Sequence, residues 1–504
     1  MTALEELAAE AAAAADPAKA DAPVVPTVDV AAVNKAENRS LYKAREKVYP
    51  KRASGTFRQA KWIVMAVTLG IYYLAPWIRW DRGPTAPDQA ILLDFPGRRF
   101  YFFFIEIWPQ EVYYITGLLI LASLGLFLVT SLAGRVWCGY TCPQTVWTDL
   151  FIAVERFIEG DRNARIRLDR HPWTSSKITK KAAKHVIWVL IAVATGGAWV
   201  FYFDDAPSLA VRLASFEAPA IAYLFIGIFS FTTYMLGGIA REQVCTYMCP
   251  WPRIQGAMFD EDSYLVTYRE HRGEPRGAHK KGESWEGRGH CIDCNQCVAV
   301  CPMGIDIRDG PQLECIQCAL CIDACNSVMD KVDLPRGLIA YDTFRNLDAQ
   351  ARGETAHTKL IRPRTAIYAV LIVVVGLLML FTLLTRSDLD INVLRDRNPL
   401  FVTLSDGSIR NGYTLKILNK QHNDRTFDIA VRGINGASLA VVGVPEQATP
   451  QVTVKPDRLR SLRVFVTAPA GSLGADSLPV EILVTDVATG QTAAYDSTFR
   501  SPQP

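Results

Sequence analysis

Two cysteine runs constrain this chain more than any other feature. From Cys291 to Cys301 the spacing is C-x-x-C-x-x-C-x-x-x-C, and after a thirteen-residue gap Cys315 to Cys325 repeats it. Iron in a [4Fe–4S] cluster takes a soft anionic ligand at each corner, and four thiolates supply it. In a paired run of this kind three close cysteines wrap one cluster and the fourth reaches the other. That assigns Cys291, Cys294, Cys297 and Cys325 to one cluster, and Cys315, Cys318, Cys321 and Cys301 to the second. Zinc sites pair two short cysteine spacings and have no crossed fourth ligand, so they fit less well. Pro302 follows Cys301, whereas Asn326 follows Cys325, which alters a local turn and leaves the thiolates intact.

The other four of the twelve cysteines are Cys138, Cys142, Cys245 and Cys249, also in close pairs. Grouped cysteines with none alone point to metal or redox work in a reducing compartment. Net charge is +3 over 504 residues, so nothing points to nucleic acid. No G-x-G-x-x-G or G-x-x-x-x-G-K-[ST] occurs, so any reductant comes from elsewhere.

Five apolar stretches reach the roughly 20 residues needed to span a bilayer: near 61–79, 112–133, 186–203, 219–240 and 365–384. No Asp, Glu, Lys, Arg or His falls in their central parts, which argues against a pump and leaves a quinone site at the membrane edge open. The aromatic segment 100–108 is too short to span and reads as an interfacial belt. The 134–185 connection holds ten Lys and Arg and the 204–218 connection holds one, Arg212. The positive-inside rule therefore puts the N-terminus, 134–185 and the cluster-bearing 241–364 segment in the cytoplasm, and the C-terminal region outside the bacterial inner membrane.

The reading divides the chain into an Ala-rich disordered head (1–34, no signal-peptide pattern), a membrane domain (35–260) that opens with a basic stretch, a dicluster domain (261–345), a linker with the last span (346–388) and a C-terminal all-β sandwich (389–504). The sandwich rests on period-two runs at Tyr413, Leu415 and Ile417, at Phe427, Ile429 and Val431, and at Val480, Ile482 and Val484, with a hairpin turn around Gly490. A protein-docking module is the default role for it.

Two further motifs repeat: Gly134-Arg135 before C-x-Y-x-C-P at Cys138–Pro143, and Ala240-Arg241 before the same pattern at Cys245–Pro250. Both follow an apolar stretch, so two related hairpins bring up to four thiols together. On a helix, cysteines four apart share a face. Such a set suits Cu(I), zinc or a redox disulfide, or simply packs a helix junction. Tyr140 and Tyr247 read as packing residues, Met248 as core filler and His290 as a solvated loop histidine.

WCGYTCPQTVWTDLF, CIDCNQCVAVCPMGIDIRDG, LECIQCALCIDAC and PRGLIAYDT resemble the FixG/RdxA/CcoG family over nearly all the chain beyond the head. The resemblance implies a multi-domain protein: an α-helical membrane domain, a ferredoxin-like 2[4Fe–4S] domain and a periplasmic immunoglobulin-like domain. It implies reduction of Cu(II) to Cu(I) for assembly of cbb3-type cytochrome c oxidase, with oxidase assembly factors or a copper transporter or chaperone as partners and the lipid bilayer around it. It carries Cys138, Cys142, Cys245 and Cys249 over as the copper-handling set. The membrane half also looks like quinol dehydrogenase subunits of periplasmic nitrate reductase systems, so quinol-linked electron transfer stands as an alternative, as does a redox-sensing assembly scaffold. The electron donor is not named by any motif.

Overall fold

The computed structural model describes residues 25–34, 46–84, 86–280, 282–355, 357–387, 389–445, 447, 449–469, 471 and 474–502. The expectation for residues 1–24 lies outside these. The chain forms two units, 1–78 with 90–378, and 79–89 with 379–504.

In the first unit four helices are long and apolar enough to cross a membrane: Pro109–Ala133, Ser175–Val200, Ala220–Ala240 and Pro363–Leu384. Their α-helical cores are α2 (Tyr113–Ala133), α5 (Ser175–Val200), α6 (Ala220–Thr233) and α9 (Pro363–Leu384). The expected first span is not among them. It forms α1 (Thr56–Leu74) and then a 3₁₀ turn at Ala75–Trp77, where Pro76 ends the α-helical pattern. Its first turns carry Arg58 and Lys61, both buried against Asp149. α1 nonetheless runs along α5. Its first turn is capped by Asp323, which accepts from Phe57 N–H (3.2 Å) and Arg58 N–H (2.8 Å). Its last turn bonds to Thr195 through the Tyr72 hydroxyl (2.7 Å), twenty residues and about 30 Å into α5. Gly55 makes the capping possible: a Cβ there would stand 2.4 Å from the Asp323 carboxyl carbon.

α5 starts eleven residues before the expected span and carries Lys177, Lys180, Lys181, Lys184 and His185 in its first three turns. These residues lie before the expected span, whose own 186–203 stretch holds no Asp, Glu, Lys, Arg or His; Lys181 and Lys184 are paired with Glu155, Glu159 and Asp169. Segment 100–108 forms β-structure: β1 (Ile91–Asp94), β2 (Arg99–Phe102) and β3 (Ile105–Ile107) make an antiparallel sheet.

The expected disorder of the head does not extend to residues 25–34. Val25, Ala32 and Asn34 are buried, and the segment bonds along the cysteine domain through Val28 N–H to Cys294 O and Asn34 N–H to Gly304 O, both 3.0 Å. That domain is built on a two-stranded sheet, β4 (Leu265–Tyr268) with β5 (Ile339–Asp342), and two helices, α7 (Gln296–Val300) and α8 (Leu320–Met329).

The second unit contains an immunoglobulin-like sandwich. One sheet runs β10 (Ser438–Val441), β12 (Arg458–Ala468), β8 (Ile409–Asn419), β6 (Leu389–Arg395), with β7 (Val402–Thr403) on β8; the other runs β11 (Gln451–Val454), β9 (Arg425–Arg432), β13 (Ser477–Asp486), β14 (Thr492–Arg500). β8 (Ile409–Asn419), β9 (Arg425–Arg432) and β13 (Ser477–Asp486) carry the three alternating runs. Their inward residues Tyr413, Leu415, Ile417, Ile429, Ile482 and Val484 are fully buried. The hairpin between β13 and β14 (Thr492–Arg500) turns at Gly490, whose φ of +70° suits glycine.

Candidate functional site

The two cysteine runs fold alike. In each, the residues on either side of the second cysteine have positive φ: Asp293 (51°) and Asn295 (54°), then Gln317 (56°) and Ala319 (60°). A helix follows each, α7 and α8. Successive kinks of this kind turn backbone N–H groups into a concave nest that favours anions. Asp and Asn adopt the conformation readily, but Gln317 and Ala319 pay about 1–2 kcal/mol each. Gln317 is held from outside, its Oε1 accepting from Arg135 N–H at 2.8 Å and its own N–H facing Cys315 Sγ at 3.4 Å.

Cys291, Cys294, Cys297 and Cys325 line one cavity, beside Tyr268 and Arg308. Cys301, Cys315, Cys318 and Cys321 line a second, with Cys297 between the two. Burial pushes Cys301 and Cys325 up to about 12 and Cys315 to about 11, and charge on neighbouring thiols adds to this. Four acids crowded out of water ionise together only when a cation shares the site, so the donor sets fit an iron–sulfur cluster in each cradle. His290 is not simply solvated: its Nδ1 accepts from Arg272 Nε at 2.8 Å.

The C-x-x-x-C-P motifs are not continuous α-helices, because proline ends each one. Cys138 lies in α3 (Val136–Tyr140), and Cys142 is extended before α4 (Pro143–Glu159). Cys245 lies in a π-helical turn, Val244–Met248, and Cys249 is extended. All four thiols nevertheless converge. Burial raises Cys138, Cys142 and Cys245, the last to about 12, and the charge of Cys249 raises all three further. Among the described residues no three of these sulfurs lie within 4.8 Å of one another, which is wider than the spacing of about 3.8 Å that tetrahedral Zn–S bonds of about 2.3 Å impose. Cys249 is exposed and Cys138 buried, so the set opens outward at one side. Met248 is 62% exposed rather than core filler.

The repeat is in the backbone, one residue out of register with the arginines. Gly134 (φ 57°, ψ −127°) and Arg241 (φ 47°, ψ −113°) end the preceding helices in the same conformation. Arg135 and Arg241 are therefore not counterparts. Arg241 pairs with Glu155 at 3.0 Å, whereas Arg135 turns toward the second cradle.

That cradle touches the first thiol motif directly. A Cβ on Gly139 would stand 2.7 Å from Ile316 O and 3.0 Å from Cys318 backbone atoms. The Tyr140 hydroxyl donates to Cys318 O at 3.3 Å, so Tyr140 packs on the cradle. Cys138 and Cys318 belong to one apolar cluster, with Cys245, Cys301 and Cys315 packed against it.

Sequence reasoning missed the ion network beneath these motifs. Fully buried Glu155 takes Arg165 (3.0 Å), Arg241 (3.0 Å) and Lys184 (3.4 Å), and Glu159 takes Lys181 and Lys184 (both 2.9 Å). Burial alone would raise Glu155, but Arg241, Lys47 and Arg165 overrule it and hold it well below the usual carboxylate range. The only signal in sequence was the unusual density of both charges in 155–184.

Family models match three parts of the chain. One described as a 4Fe-4S dicluster domain matches 240–344, a 4Fe-4S binding domain matches 115–159, and "IG-like fold at C-terminal of FixG" matches 379–502. The nitrogen fixation protein FixG of Rhizobium meliloti is 53% identical, over 94% of this chain and 97% of its own. This chain belongs to the FixG family. Protein RdxB of Cereibacter sphaeroides is 54% identical over 92% of this chain and 98% of its own, and protein RdxA of the same organism 53% over 86% and 91%. A crystal structure of a FixG-related protein from Vibrio parahaemolyticus aligns with 23% of this chain and 99% of its own at 24% identity, with a TM-score of 0.21. The chain is an iron–sulfur electron-transfer protein with four candidate membrane spans among its described residues.

Proposed function

We propose that this FixG-family protein reduces Cu(II) to Cu(I) at Cys138, Cys142, Cys245 and Cys249, for assembly of a cbb3-type cytochrome c oxidase. The observation that carries the reading is the seating of the first thiol motif on the second cradle, with no room for a Cβ at Gly139. Clusters held by the eight cradle cysteines supply reversible one-electron oxidation and reduction. The chain's own part is placement. Lys61 Nζ holds the Gly139 carbonyl at 3.1 Å, and the Thr145 hydroxyl holds that of Cys138 at 2.6 Å. These bonds fix the thiol turn against the Cys315–Cys321 loop.

Copper is the substrate. Each Cu(II) takes one electron and leaves as Cu(I); no covalent bond breaks in the protein, and a reductant outside the chain, a soluble carrier or a quinol, supplies the electron. Thiolates prefer Cu(I), which favours the product. The wide, one-sided opening of the thiol set suits an ion that enters and leaves. Oxidase assembly factors or a copper transporter or chaperone receive the product. The orientation follows the charge bias: the cysteine domain is cytoplasmic, α1 crosses beside α5, and the sandwich is periplasmic at the inner membrane.

Changing Cys245 and Cys249 to Ala abolishes Cu(II) reduction while the iron–sulfur absorbance persists. Undiminished Cu(I) formation in that variant removes the thiols from the reaction.

A specific feature favours quinol as the reductant. His185 Nδ1 and the Tyr234 hydroxyl lie 2.9 Å apart beside the Glu155 network, a donor–acceptor pair of the kind that holds a quinol hydroxyl. Failure of a quinol analogue to reduce the protein excludes it.

A further inference from the structure

Arg135 is 2% exposed. Arg58, Arg165, Arg241 and Arg362, equally buried, each reach a carboxylate. Among the described residues Arg135 reaches none. Its side chain donates to neutral oxygens only: Nε to Gln255 Oε1 at 3.2 Å, and Nη1 to Cys315 O at 2.9 Å and to Leu313 O. A buried cation without an anion costs several kcal/mol, so the anion has to be one of the centres beside it. Two flank it. On one side is the Cys315 loop. On the other, the thiol of Cys138 donates to the same Gln255 Oε1, at 3.3 Å. Gln255 is fully buried and anchored by its amide to the Thr130 hydroxyl at 3.2 Å. A continuous chain of hydrogen bonds therefore runs from Cys315 O through the Arg135 guanidinium and Gln255 to Cys138 Sγ.

We infer that Arg135 is the counter-charge of the Cys301/Cys315/Cys318/Cys321 centre, linked through Gln255 to the membrane-edge thiol of Cys138, and that it sets the reduction potential of that centre alone. The inference rests on the electron-transfer reading of the second cradle, but not on copper. A positive charge bonded to a ligand's carbonyl favours the more negative, reduced form, and hydrogen bonding and charge are the levers that tune such potentials. In the first cradle Arg308 is paired with Asp293 and Asp306 at 2.6 and 2.7 Å, and the charge that bears on Cys325 is that of half-buried Arg272, which bonds His290 and the Pro335 and Arg336 carbonyls. Each centre thus has its own arginine, Arg135 beside the thiols and Arg272 beside Cys325, so removing Arg135 leaves the charge at the first cradle in place. Arg135 is a positioning residue; it touches neither copper nor a donor.

The test is a potentiometric titration of the detergent-purified full-length protein without copper, following both iron–sulfur signals by electron paramagnetic resonance. In Arg135→Gln one signal moves to lower potential and the other stays. At the wild-type midpoint its reduced-to-oxidised ratio falls about tenfold, which is 59 mV for one electron. Gln255→Glu keeps the packing and neutralises Arg135 by supplying a carboxylate, so it moves the same signal in the same direction, and Arg135→Lys restores most of the shift. If neither signal moves in Gln255→Glu, or both move equally, the inference is overturned. If a variant shifts one signal as stated but the reduced wild-type protein forms no Cu(I) from Cu(II), the inference stands and the copper reading fails.

Discussion

Gly139→Ala isolates the contact on which the functional reading depends. The added Cβ would lie 2.7 Å from Ile316 O, against an ordinary contact of 3.4 Å or more, so the thiol turn and the cradle loop must part by about 0.7 Å. Both neighbours are backbone, so no side chain can swing aside. Overpacking of this size costs about 1–3 kcal/mol, offset by up to about 1 kcal/mol of helix propensity at a residue inside α3. The protein therefore folds with at most a modest loss. The rate suffers more, since a misplacement of about 1 Å costs up to about 100-fold in a reaction that depends on placement; about tenfold is expected here. Single-turnover Cu(I) formation with a chelator reads the rate, and the iron–sulfur absorbance verifies that the cradles are loaded. Gly197→Ala, where no atom lies within 4 Å of the new Cβ, is the control. A Gly139→Ala protein with loaded cradles and an unchanged rate refutes the claim that this contact carries the electron.

Glu155→Gln strands Arg165, Arg241 and Lys184 in a buried site and costs about 3–5 kcal/mol, read as a fall in the thermal midpoint of the detergent-solubilised protein. Glu155 is depressed in the folded state, so its stabilisation is present above the unfolded value near 4.3 and is lost as pH falls below it; acid sensitivity below about pH 4 should weaken in the Gln variant. Tyr413→Phe removes the bond from its hydroxyl to Thr498 O (2.9 Å), which ties the two sheets of the sandwich, and costs about 1–2 kcal/mol in denaturant titration of the β signal. A periplasm-dependent reporter fused at the C-terminus is active; activity of a cytoplasm-dependent one there instead reverses the proposed orientation.

What could be read from sequence was whatever is set by spacing. The crossed grouping of Cys297 with Cys325 and of Cys301 with Cys321 follows from ligand intervals, and the inward faces of β8, β9 and β13 follow from alternation. What could not be read depends on partners far away in the chain. The 25–34 segment is held by backbone bonds at Val28 and Asn34, which leave no trace in composition. Lys181 and Lys184 look like a solvated stretch until Glu159 and Asp169 are seen beside them. The arginines at 135 and 241 look like counterparts because letters were matched, whereas backbone angles pair Gly134 with Arg241. Seven residues of π-helix at Tyr234–Ala240 have no local signature at all.

The most direct test of the account is anaerobic stopped-flow mixing of the reduced full-length protein with Cu(II), following iron–sulfur absorbance and chelated Cu(I) together. The account predicts rapid reoxidation with one Cu(I) formed per electron lost, and loss of both in a variant with Cys138, Cys142, Cys245 and Cys249 changed to Ala. Iron–sulfur absorbance that stays bleached in the presence of Cu(II), or Cu(I) that forms equally fast in the variant, contradicts it.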